Sequence, residues 1–327
     1  MRVLVTGSIG FIGYHLCGRL AADGHEVVGL DSFSDYYDIS LKENRLARLL
    51  RLDGFRFYRA DIADAHALEK VFVYGFDMVV HLAAQAGVRY SIENPDAYVQ
   101  SNLVGFANIL ECCRKYDAKR LLFASSSSVY GETNGSCPSV EKDDTNRPVS
   151  LYAATKKADE VLAYSYSHLY GIKTTVMRLF TVYGEWGRPD MAYFKLADCL
   201  YQGEPFTLYN GGNDIRDFTY VGDVVESVSR LAAREDGARY EVYNIGCGTP
   251  VRTGAFLEEL VCMFGERGLI KDGRCYTNIA GAQLGDVACT CADSGELEKA
   301  IGYKPHTPTQ EGLSRFADWY KEYKTSC

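Results

Sequence analysis

The 327-residue sequence has no excess of basic residues and no long hydrophobic run. Lys and Arg number 35 against 43 Asp and Glu, which gives a formal net charge of −8 at pH 7. Nucleic acids and anionic membrane surfaces are bound by basic faces, so neither is expected as a partner. No apolar run is long enough to span a membrane, and no basic-then-apolar leader precedes the first predicted strand. We therefore expect a cytoplasmic protein.

The eleven cysteines form no recognisable metal or disulfide pattern. No CxxC pair occurs, the number is odd, and the positions are scattered along the chain. Such cysteines are typical of reduced thiols that pack as small hydrophobic residues. We expect neither a metal site nor a disulfide framework.

Short β-branched runs alternate with amphipathic segments in the first half of the chain. The runs at 3–5, 26–30, 55–59, 78–81, 121–124 and 174–177 are predicted strands, and 96–116 and 151–170 are predicted long helices. This alternation predicts an α/β fold with a doubly wound parallel Rossmann sheet. Turn residues become more frequent after position 178. We expect a dinucleotide-binding domain over 1–178 and a smaller C-terminal α/β substrate lobe over 179–327, with a soft boundary and some interleaving.

A glycine-rich turn follows the first predicted strand. Gly7 permits the tight turn, Gly10 admits a pyrophosphate against the backbone, and Gly13 lets the next helix pack on the strand. Phe11 and Ile12 open that helix, whose N-terminus is expected to face the phosphates. The turn predicts a dinucleotide site.

Residues at the ends of the next strands complete the predicted cofactor site. Asp31 ends the second strand, where a carboxylate accepts hydrogen bonds from ribose hydroxyls and repels a 2′-phosphate. This position favours NAD over NADP. Asp61 and Ile62 follow the third strand and are expected beside the adenine, and Ala83 follows the fourth strand as a further cofactor contact.

Tyr152 and Lys156 are four residues apart, on one face of the predicted helix 151–170. A free tyrosine loses its proton at about pH 10, so a phenolate that acts as a base at neutral pH needs a neighbouring cation. Lys156 is that cation. A run of serines at 125–128 ends a predicted strand, and the carboxyl ends of parallel strands line the ligand crevice. A serine there can share a proton with the substrate hydroxyl and Tyr152.

The sequence resembles the extended short-chain dehydrogenase/reductases, in particular the NAD-dependent epimerase/dehydratase family. The family's segments occur in order: TGxxGxxG at 6–13, HLAAQAG at 81–87, NLVG at 102–105, SSSSVYG at 125–131, YxxxK at 152–156 and RDFTY at 216–220. The resemblance implies that Ser126, Tyr152 and Lys156 form a hydroxyl, phenol and ammonium triad. It also implies that Arg216 binds a diphosphate. The resemblance further implies a homodimer, in which the helices 96–116 and 151–170 of two copies pack as a four-helix bundle.

Ser127 and Ser128 stand where the family's 4,6-dehydratases carry Asp-Glu and its decarboxylases carry a glutamate. Without that acid, water elimination lacks its proton donor, so epimerisation is the expected outcome. The strings at 31–38, 85–91, 150–157 and 178–191 resemble those of UDP-glucuronate 4-epimerases. This resemblance implies conversion of UDP-glucuronate to UDP-galacturonate by transient oxidation at C4, rotation of the 4-keto sugar and return of the hydride.

A uronic acid substrate needs a group that holds its carboxylate. Arg188 is the expected ligand, with Ser127 and Ser128 as partners and Arg89 as a weaker candidate. The 4-keto intermediate is a β-keto acid, so holding the carboxylate also serves to prevent decarboxylation. The other residues expected at the nucleotide sugar are Thr181, Asp190, Tyr209, Arg216 and Asp286.

Other functions remain open at this level. They are a decarboxylase or dehydratase on the same scaffold, a 4-epimerase of another nucleotide hexose, a dehydrogenase that releases NADH, and a dinucleotide-sensing protein. Gln283 stands where galactose-type epimerases have an arginine, and glutamine at this position is usual for the uronate group. Glu185, where relatives have proline, and the loop at 136–140 are departures expected to alter the lid over the site.

Overall fold

The computed structural model describes residues 1–132, 138–275 and 277–326, so the first two residues of the 136–140 loop lie outside the described residues. The strands in these ranges are β1 (Arg2–Thr6), β2 (Glu26–Asp31), β3 (Phe55–Arg59), β4 (Met78–His81), β5 (Arg120–Ser126), β6 (Lys173–Leu179), β7 (Thr181–Tyr183), β8 (Phe206–Tyr209), β9 (Ile215–Arg216), β10 (Phe218–Tyr220), β11 (Tyr240–Ile245), β12 (Val251–Arg252) and β13 (Thr277–Ala280).

The described helices flank these strands. They are α1 (Phe11–Ala22), α2 (Ile39–Leu49), α3 (Ala65–Phe72), α4 (Tyr90–Glu93), α5 (Pro95–Tyr98), α6 (Gly105–Lys115), α7 (Leu151–Tyr170), α8 (Ala192–Gln202), α9 (Val221–Ala233), α10 (Thr253–Glu266), α11 (Gly295–Ile301) and α12 (Thr309–Ser326). Within the described residues, no helix has both the length and the apolar character needed to cross a membrane.

Seven parallel strands form the central sheet, in the order β11-β6-β5-β4-β1-β2-β3. The predicted α/β class with a doubly wound parallel sheet is therefore confirmed. Chain order reverses between β1 and β4, and ligands of such sheets bind outside the carboxyl ends of the strands at this point. Strand β11 lies at one edge of the sheet, although it comes from the second half of the chain. Three two-stranded pairs, β7 with β10, β8 with β13 and β9 with β12, complete the described sheets.

The two faces of the sheet are covered by separate apolar clusters. Successive strand residues point to opposite faces, so Val3 and Val5 pack against α1 and α2 while Leu4 packs against α3 and α6. These side chains are fully buried. Each buried aliphatic side chain contributes about 1.5–3 kcal/mol relative to an exposed one. The sheet is thus a rigid base for the loops at its carboxyl edge.

The predicted helix 151–170 is α7, and its ends follow capping rules. The Ser150 hydroxyl accepts a hydrogen bond from the Ala153 N–H at 3.1 Å, and Gly171 ends the helix in the left-handed conformation with φ +73°. The predicted helix 96–116 is helical but not regular. It consists of α5, a π-helical stretch Val99–Val104 and α6. Apolar periodicity does not reveal such a stretch, because it alters the hydrogen bonding over one or two turns only.

Candidate active site

A cavity of about 1210 Å³ opens at the carboxyl ends of the parallel strands. Every cofactor, catalytic and substrate residue predicted from the sequence lies on its wall. The loops that form this region follow the last residues of four strands, which are Thr6, Asp31, His81 and Ser126. The structure therefore brings the predicted residues together in one cleft.

The glycine turn between β1 and α1 is too tight for side chains. Gly7 has φ +69°, and a Cβ there would lie 2.8 Å from the Ala83 nitrogen. A Cβ on Gly13 would lie 2.0 Å from the Gly7 oxygen, so that position also requires glycine. Gly10 precedes α1 and offers no side-chain cap, which leaves the N–H groups of Phe11 and Ile12 directed at the cleft. This geometry suits a pyrophosphate.

Asp31 is buried at the end of β2, and its Oδ1 accepts a hydrogen bond from the Phe33 N–H at 2.9 Å. Burial raises the pKa of Asp31, and the Lys42 ammonium 3.9 Å from Oδ1 opposes that rise. Asp61 and Ile62 follow β3 on the same side of the cleft. These residues form a polar and apolar recess next to the glycine turn.

Lys42 is a cleft residue that the sequence reasoning missed. It is on α2, is 5% exposed, and donates to the Ser34 carbonyl at 2.7 Å. Burial lowers the pKa of Lys42. The one feature of the sequence that could have indicated the burial of Lys42 is its position next to Leu41, on the apolar face of α2. A lysine in an amphipathic helix is usually exposed, and for this reason that signal is weak.

Arg45, also on α2 and also missed, is fully buried and connects two walls of the cleft. Its guanidinium donates to the Ile9 carbonyl in the glycine turn and to the carbonyls of Trp186 and Gly187. A fourth hydrogen bond reaches the Tyr37 hydroxyl at 2.8 Å. Arg45 therefore fixes the turn relative to the loop that carries Arg188.

Ser126 ends β5, Tyr152 and Lys156 lie in the first two turns of α7, and all three line the cleft. The Ser128 hydroxyl donates to Ser126 Oγ at 2.8 Å, and the Ser128 N–H also contacts that oxygen at 3.2 Å. Lys156 is 2% exposed, and its ammonium donates to Asp159 Oδ2 at 3.3 Å. A hydroxyl, a phenol and a buried cation thus share the centre of the cleft.

The π-helical stretch supports α7 from the side. Asn102, which is buried within it, donates to Thr155 Oγ1 at 3.0 Å and to the Gln85 carbonyl at 3.1 Å. Its own oxygen accepts the Gln85 N–H at 2.8 Å. Asn102 therefore holds the loop after β4 against the helix that carries Tyr152 and Lys156.

Arg188 lies in the loop before α8, and its guanidinium forms a two-pronged ion pair with Asp190. Nε is 3.0 Å from Oδ1 and Nη2 is 2.9 Å from Oδ2. The Tyr36 hydroxyl also donates to Asp190 Oδ2 at 3.2 Å. Burial lowers the pKa of Arg188, but the carboxylate of Asp190 outweighs it, so the net change is upward. Asp190, predicted as a nucleotide contact, lines the cleft and also contacts Arg188.

Two arginines and two aspartates lie together in another part of the cleft wall. Arg89 lies over the Tyr209 ring at 4.7 Å and donates to Gln283 Oε1 at 3.1 Å. Arg216 lies 4.0 Å from the Asp214 carboxylate. Burial raises the pKa of Asp286, while Arg216 and Arg89 lower it, so the three groups are electrostatic neighbours. Thr181, at the start of β7, completes this part of the wall.

Glu185 does not line the cleft. Its Oε1 accepts a hydrogen bond from the Tyr220 hydroxyl at 2.9 Å, and its carbonyl contacts His15 Nε2 at 2.8 Å. Glu185 therefore joins α1 to the segment before α9. Within the described ranges, no cluster of three or more His, Cys, Asp or Glu residues is arranged to hold a metal ion.

Comparisons with known proteins agree on one family. The chain matches the model described as the NAD dependent epimerase/dehydratase family over residues 3–246. Protein CapI of Staphylococcus aureus is 47% identical, over 99% of this chain and 99% of that protein. A probable UDP-glucuronate 4-epimerase of Rhizobium meliloti (strain 1021) is 44% identical, over 98% of this chain and 97% of the relative.

The crystal structure of UDP-glucuronic acid 4-epimerase from Bacillus cereus, in complex with UDP-glucuronic acid and NAD, is also similar. It superposes with a TM-score of 0.90 at 31% identity and covers 99% of this chain and 100% of that one. The similarity therefore extends over both the glycine turn and the loop that carries Arg188.

Proposed function

The chain belongs to the NAD-dependent epimerase/dehydratase family, and from this premise we propose that it converts UDP-glucuronate to UDP-galacturonate by 4-epimerisation. One observation carries the choice of reaction. Ser127 and Ser128 occupy the positions beside the catalytic groups where an elimination needs a carboxylic acid, and Arg188 lies in the same cleft. That cleft can oxidise and reduce a sugar and hold a carboxylate, but it offers no acid at those positions for elimination.

NAD fits the residues around the glycine turn. A side chain at Gly7 or Gly13 would fill the space against the backbone, and α1 directs its N–H groups at the same place. Asp31 and Lys42 lie together where the adenosine ribose of a dinucleotide is held in this fold. When bound, NAD supplies a reversible hydride acceptor. Because Asp31 would repel a 2′-phosphate, we propose NAD and not NADP as the cofactor.

Tyr152 is the proposed base for the C4 hydroxyl of the sugar. Lys156 is buried close by on the same helix face, where a cation stabilises the phenolate. Ser126 shares a proton with the sugar hydroxyl and the phenol. After the keto sugar has turned over, the hydride returns to the opposite face of C4 and Tyr152 returns the proton to the C4 oxygen. The reaction therefore has no net oxidation or reduction.

Arg188, Ser127 and Ser128 are proposed to hold the substrate carboxylate. Asp190 uses Nε and Nη2 of Arg188, so its Nη1 side and the Ser127 hydroxyl remain for the substrate, while the Ser128 hydroxyl would exchange its bond to Ser126 Oγ for one to the carboxylate. A β-keto acid loses carbon dioxide most easily when the bond to its carboxylate is perpendicular to the plane of the ketone, because the electrons of that bond can then form an enolate. A carboxylate fixed by charged and neutral donors cannot reach that orientation freely. The same contacts therefore give specificity and prevent decarboxylation.

The part of the cleft wall that carries Arg89 and Arg216 is the proposed site of the nucleotide diphosphate. Arg89 and Arg216 are close enough to Asp286 to shift its pKa, and two guanidinium groups in that position can neutralise a diphosphate. Tyr209 and Thr181 provide a ring and a hydroxyl for the nucleotide. In the proposed complex, the sugar of the substrate lies near Tyr152 and its diphosphate lies near Arg216.

We also propose a cytoplasmic homodimer. Apolar side chains on one face of the α7 surface are exposed in the single chain, including Val161 at 58% and Leu169 at 63%, and Val104 at the start of α6 is 38% exposed. A patch of this kind is typical of a protein interface. Buried free thiols at Cys17, Cys112 and Cys113 suit a reducing compartment.

The test is incubation of the NAD-loaded enzyme with UDP-glucuronate, followed by NMR and mass analysis of the sugar nucleotide. UDP-galacturonate of unchanged mass is the expected product, without net NADH absorbance. Loss of carbon dioxide would identify a decarboxylase, loss of water a dehydratase, and accumulation of NADH a dehydrogenase. Recovery of unchanged UDP-glucuronate alone would contradict the proposed function.

A further inference from the structure

Asp159 is a buried carboxylate in direct contact with Lys156. It lies one turn further along α7, with Oδ2 3.3 Å from the Lys156 ammonium. The Asp159 side chain has no exposure and that of Lys156 is 3% exposed, so solvent does not screen the pair. The negative charge of Asp159 is thus the nearest counter-charge to the cation that serves Tyr152.

Burial of this carboxylate is costly for the fold. Asp159 Oδ1 has no hydrogen-bond partner among the described residues. An unpaired buried polar oxygen keeps its full desolvation cost, and that cost is larger when the group is charged. The next residue, Glu160, is satisfied by contrast, because Arg178 binds both of its oxygens at 2.8 Å and Ser125 donates at 2.7 Å. The bonds to Arg178 and Ser125 explain why a carboxylate is buried at Glu160, but no such set of bonds among the described residues explains the burial of Asp159.

Few charged groups surround Asp159. On its own helix, Lys156 and Glu160 act on it, and burial raises the pKa of Asp159 to about 6. From β4, His81 faces Lys156, and burial lowers the pKa of His81 to about 3, so that ring is neutral near pH 7. From β6, Arg178 is engaged by Glu160. Lys156 is therefore the main cation acting on Asp159, and its ammonium opposes the rise in the pKa of Asp159 that burial causes.

We propose that Asp159 is a positioning residue that holds the Lys156 ammonium and offsets part of the positive charge that this ammonium presents to Tyr152 and the cofactor. This inference rests on the proposed function. Held by Asp159, the ammonium keeps one location between turnovers. The offset charge makes the phenolate of Tyr152 harder to form than it would be beside a free lysine, so the enzyme requires a higher pH to reach full activity.

The test compares pH profiles of epimerisation by wild type, Asp159→Asn and Asp159→Ser, with NAD bound. Activity rises with pH as the base loses its proton. Removal of the negative charge should move the midpoint of this rise downward, by about half to one pH unit for charges separated by two helical turns. Asn retains an oxygen for the Lys156 ammonium, so Asp159→Asn should keep its NAD, whereas Asp159→Ser should also lose NAD affinity.

Asp117→Asn is the matched control, because it removes the same charge from an exposed ion pair with Lys119. Its midpoint should equal that of wild type. An unchanged or higher midpoint in both Asp159 variants would overturn the proposal and leave Asp159 a structural role only. Thermal melting identifies a variant that does not fold, in which case the other variant decides.

A second readout needs no substrate. The tyrosinate absorption of NAD-loaded enzyme is titrated with pH, and the curve of the same protein carrying Tyr152→Phe is subtracted. A downward shift of the difference curve in Asp159→Asn is expected, and no shift counts against the proposal. If wild type forms no UDP-galacturonate at any pH, the proposed function fails, while this titration still decides the role of Asp159.

Discussion

Tyr152 has the most direct proposed role in the chemistry among the cleft residues. Tyr152→Phe removes the proton acceptor but keeps the ring that contacts Tyr98 at 6.1 Å. We expect the rate of epimerisation to fall roughly a thousandfold, in line with the loss of a general base. Thermal stability and NAD content should stay near those of wild type, measured by melting and by absorbance of the released cofactor. A variant with more than a tenth of wild-type activity would exclude Tyr152 as the base.

Arg188 is the residue that we propose to favour epimerisation over loss of carbon dioxide. Arg188→Ala removes the cation from the proposed carboxylate site, so the affinity for UDP-glucuronate should fall by about 10- to 100-fold. The fraction of UDP-pentose among the products should rise, measured by mass spectrometry. Arg89→Ala is the comparison, because it removes a cation from the diphosphate end and should weaken binding without extra pentose. An unchanged pentose fraction in a substrate-saturated Arg188→Ala enzyme would rule out protection against decarboxylation.

The sequence predicts which residues line the cleft wherever their distance along the chain from a strand end fixes their position. Gly7, Gly13 and Asp31 follow strand ends in a defined order, so their positions in the structure agree with the pattern. Lys42 and Arg45 are not predicted, because a cation in an amphipathic helix is usually solvated. Their burial depends on contacts distant in sequence, such as the Arg45 bonds to Trp186 and Gly187.

Helix α2 acts as a brace between the glycine turn and the loop before α8. Arg45→Met would fill similar space but leave the carbonyls of Ile9, Trp186 and Gly187 without their donor. We expect the free energy of unfolding to fall by about 2–4 kcal/mol, measured by urea denaturation, and NAD to be bound more weakly.

Arg48→Met is the control for the same helix. Arg48 is exposed and lies over the Trp186 ring at 4.9 Å. Its replacement should change stability by no more than about 1 kcal/mol. Equal effects of the two substitutions would show that Arg45 does not brace the cleft.

At the element scale, strand positions follow from the sequence more reliably than helix regularity. Each of the six predicted strands lies within an observed strand, because buried parallel strands are continuous apolar runs. The π-helical stretch Val99–Val104 is not predicted, although it places Asn102 against Thr155. Apolar spacing over the whole segment averages across this local change in hydrogen bonding.

The whole molecule is expected to pair through the exposed face of α7. Val161→Glu places a carboxylate in the centre of that apolar patch, where burial of an unpaired charge is unfavourable. The variant should be monomeric by size exclusion with light scattering. Val73→Glu alters a similarly exposed valine at the end of α3 and should leave a dimer. A wild-type protein that is monomeric at micromolar concentration would contradict the proposed homodimer.

Strand order is the part of the overall architecture that the sequence does not specify. Alternating strands and helices predict a parallel sheet, but they do not predict that β11 joins its edge beside β6. That pairing depends on apolar contacts between segments more than sixty residues apart. Strand β11 also contacts α7, because the Tyr240 hydroxyl donates a hydrogen bond to the Glu160 carbonyl at 3.0 Å.

We expect the hydride removed from C4 to return to the same carbon, because the cofactor remains bound between the two transfers. The most direct measurement uses UDP-glucuronate with deuterium at C4 and follows the label in the product by NMR. Full retention of deuterium at C4 of UDP-galacturonate, with no net reduced cofactor, is the expected result. Loss of the label to solvent or its appearance in released reduced cofactor would contradict the claim.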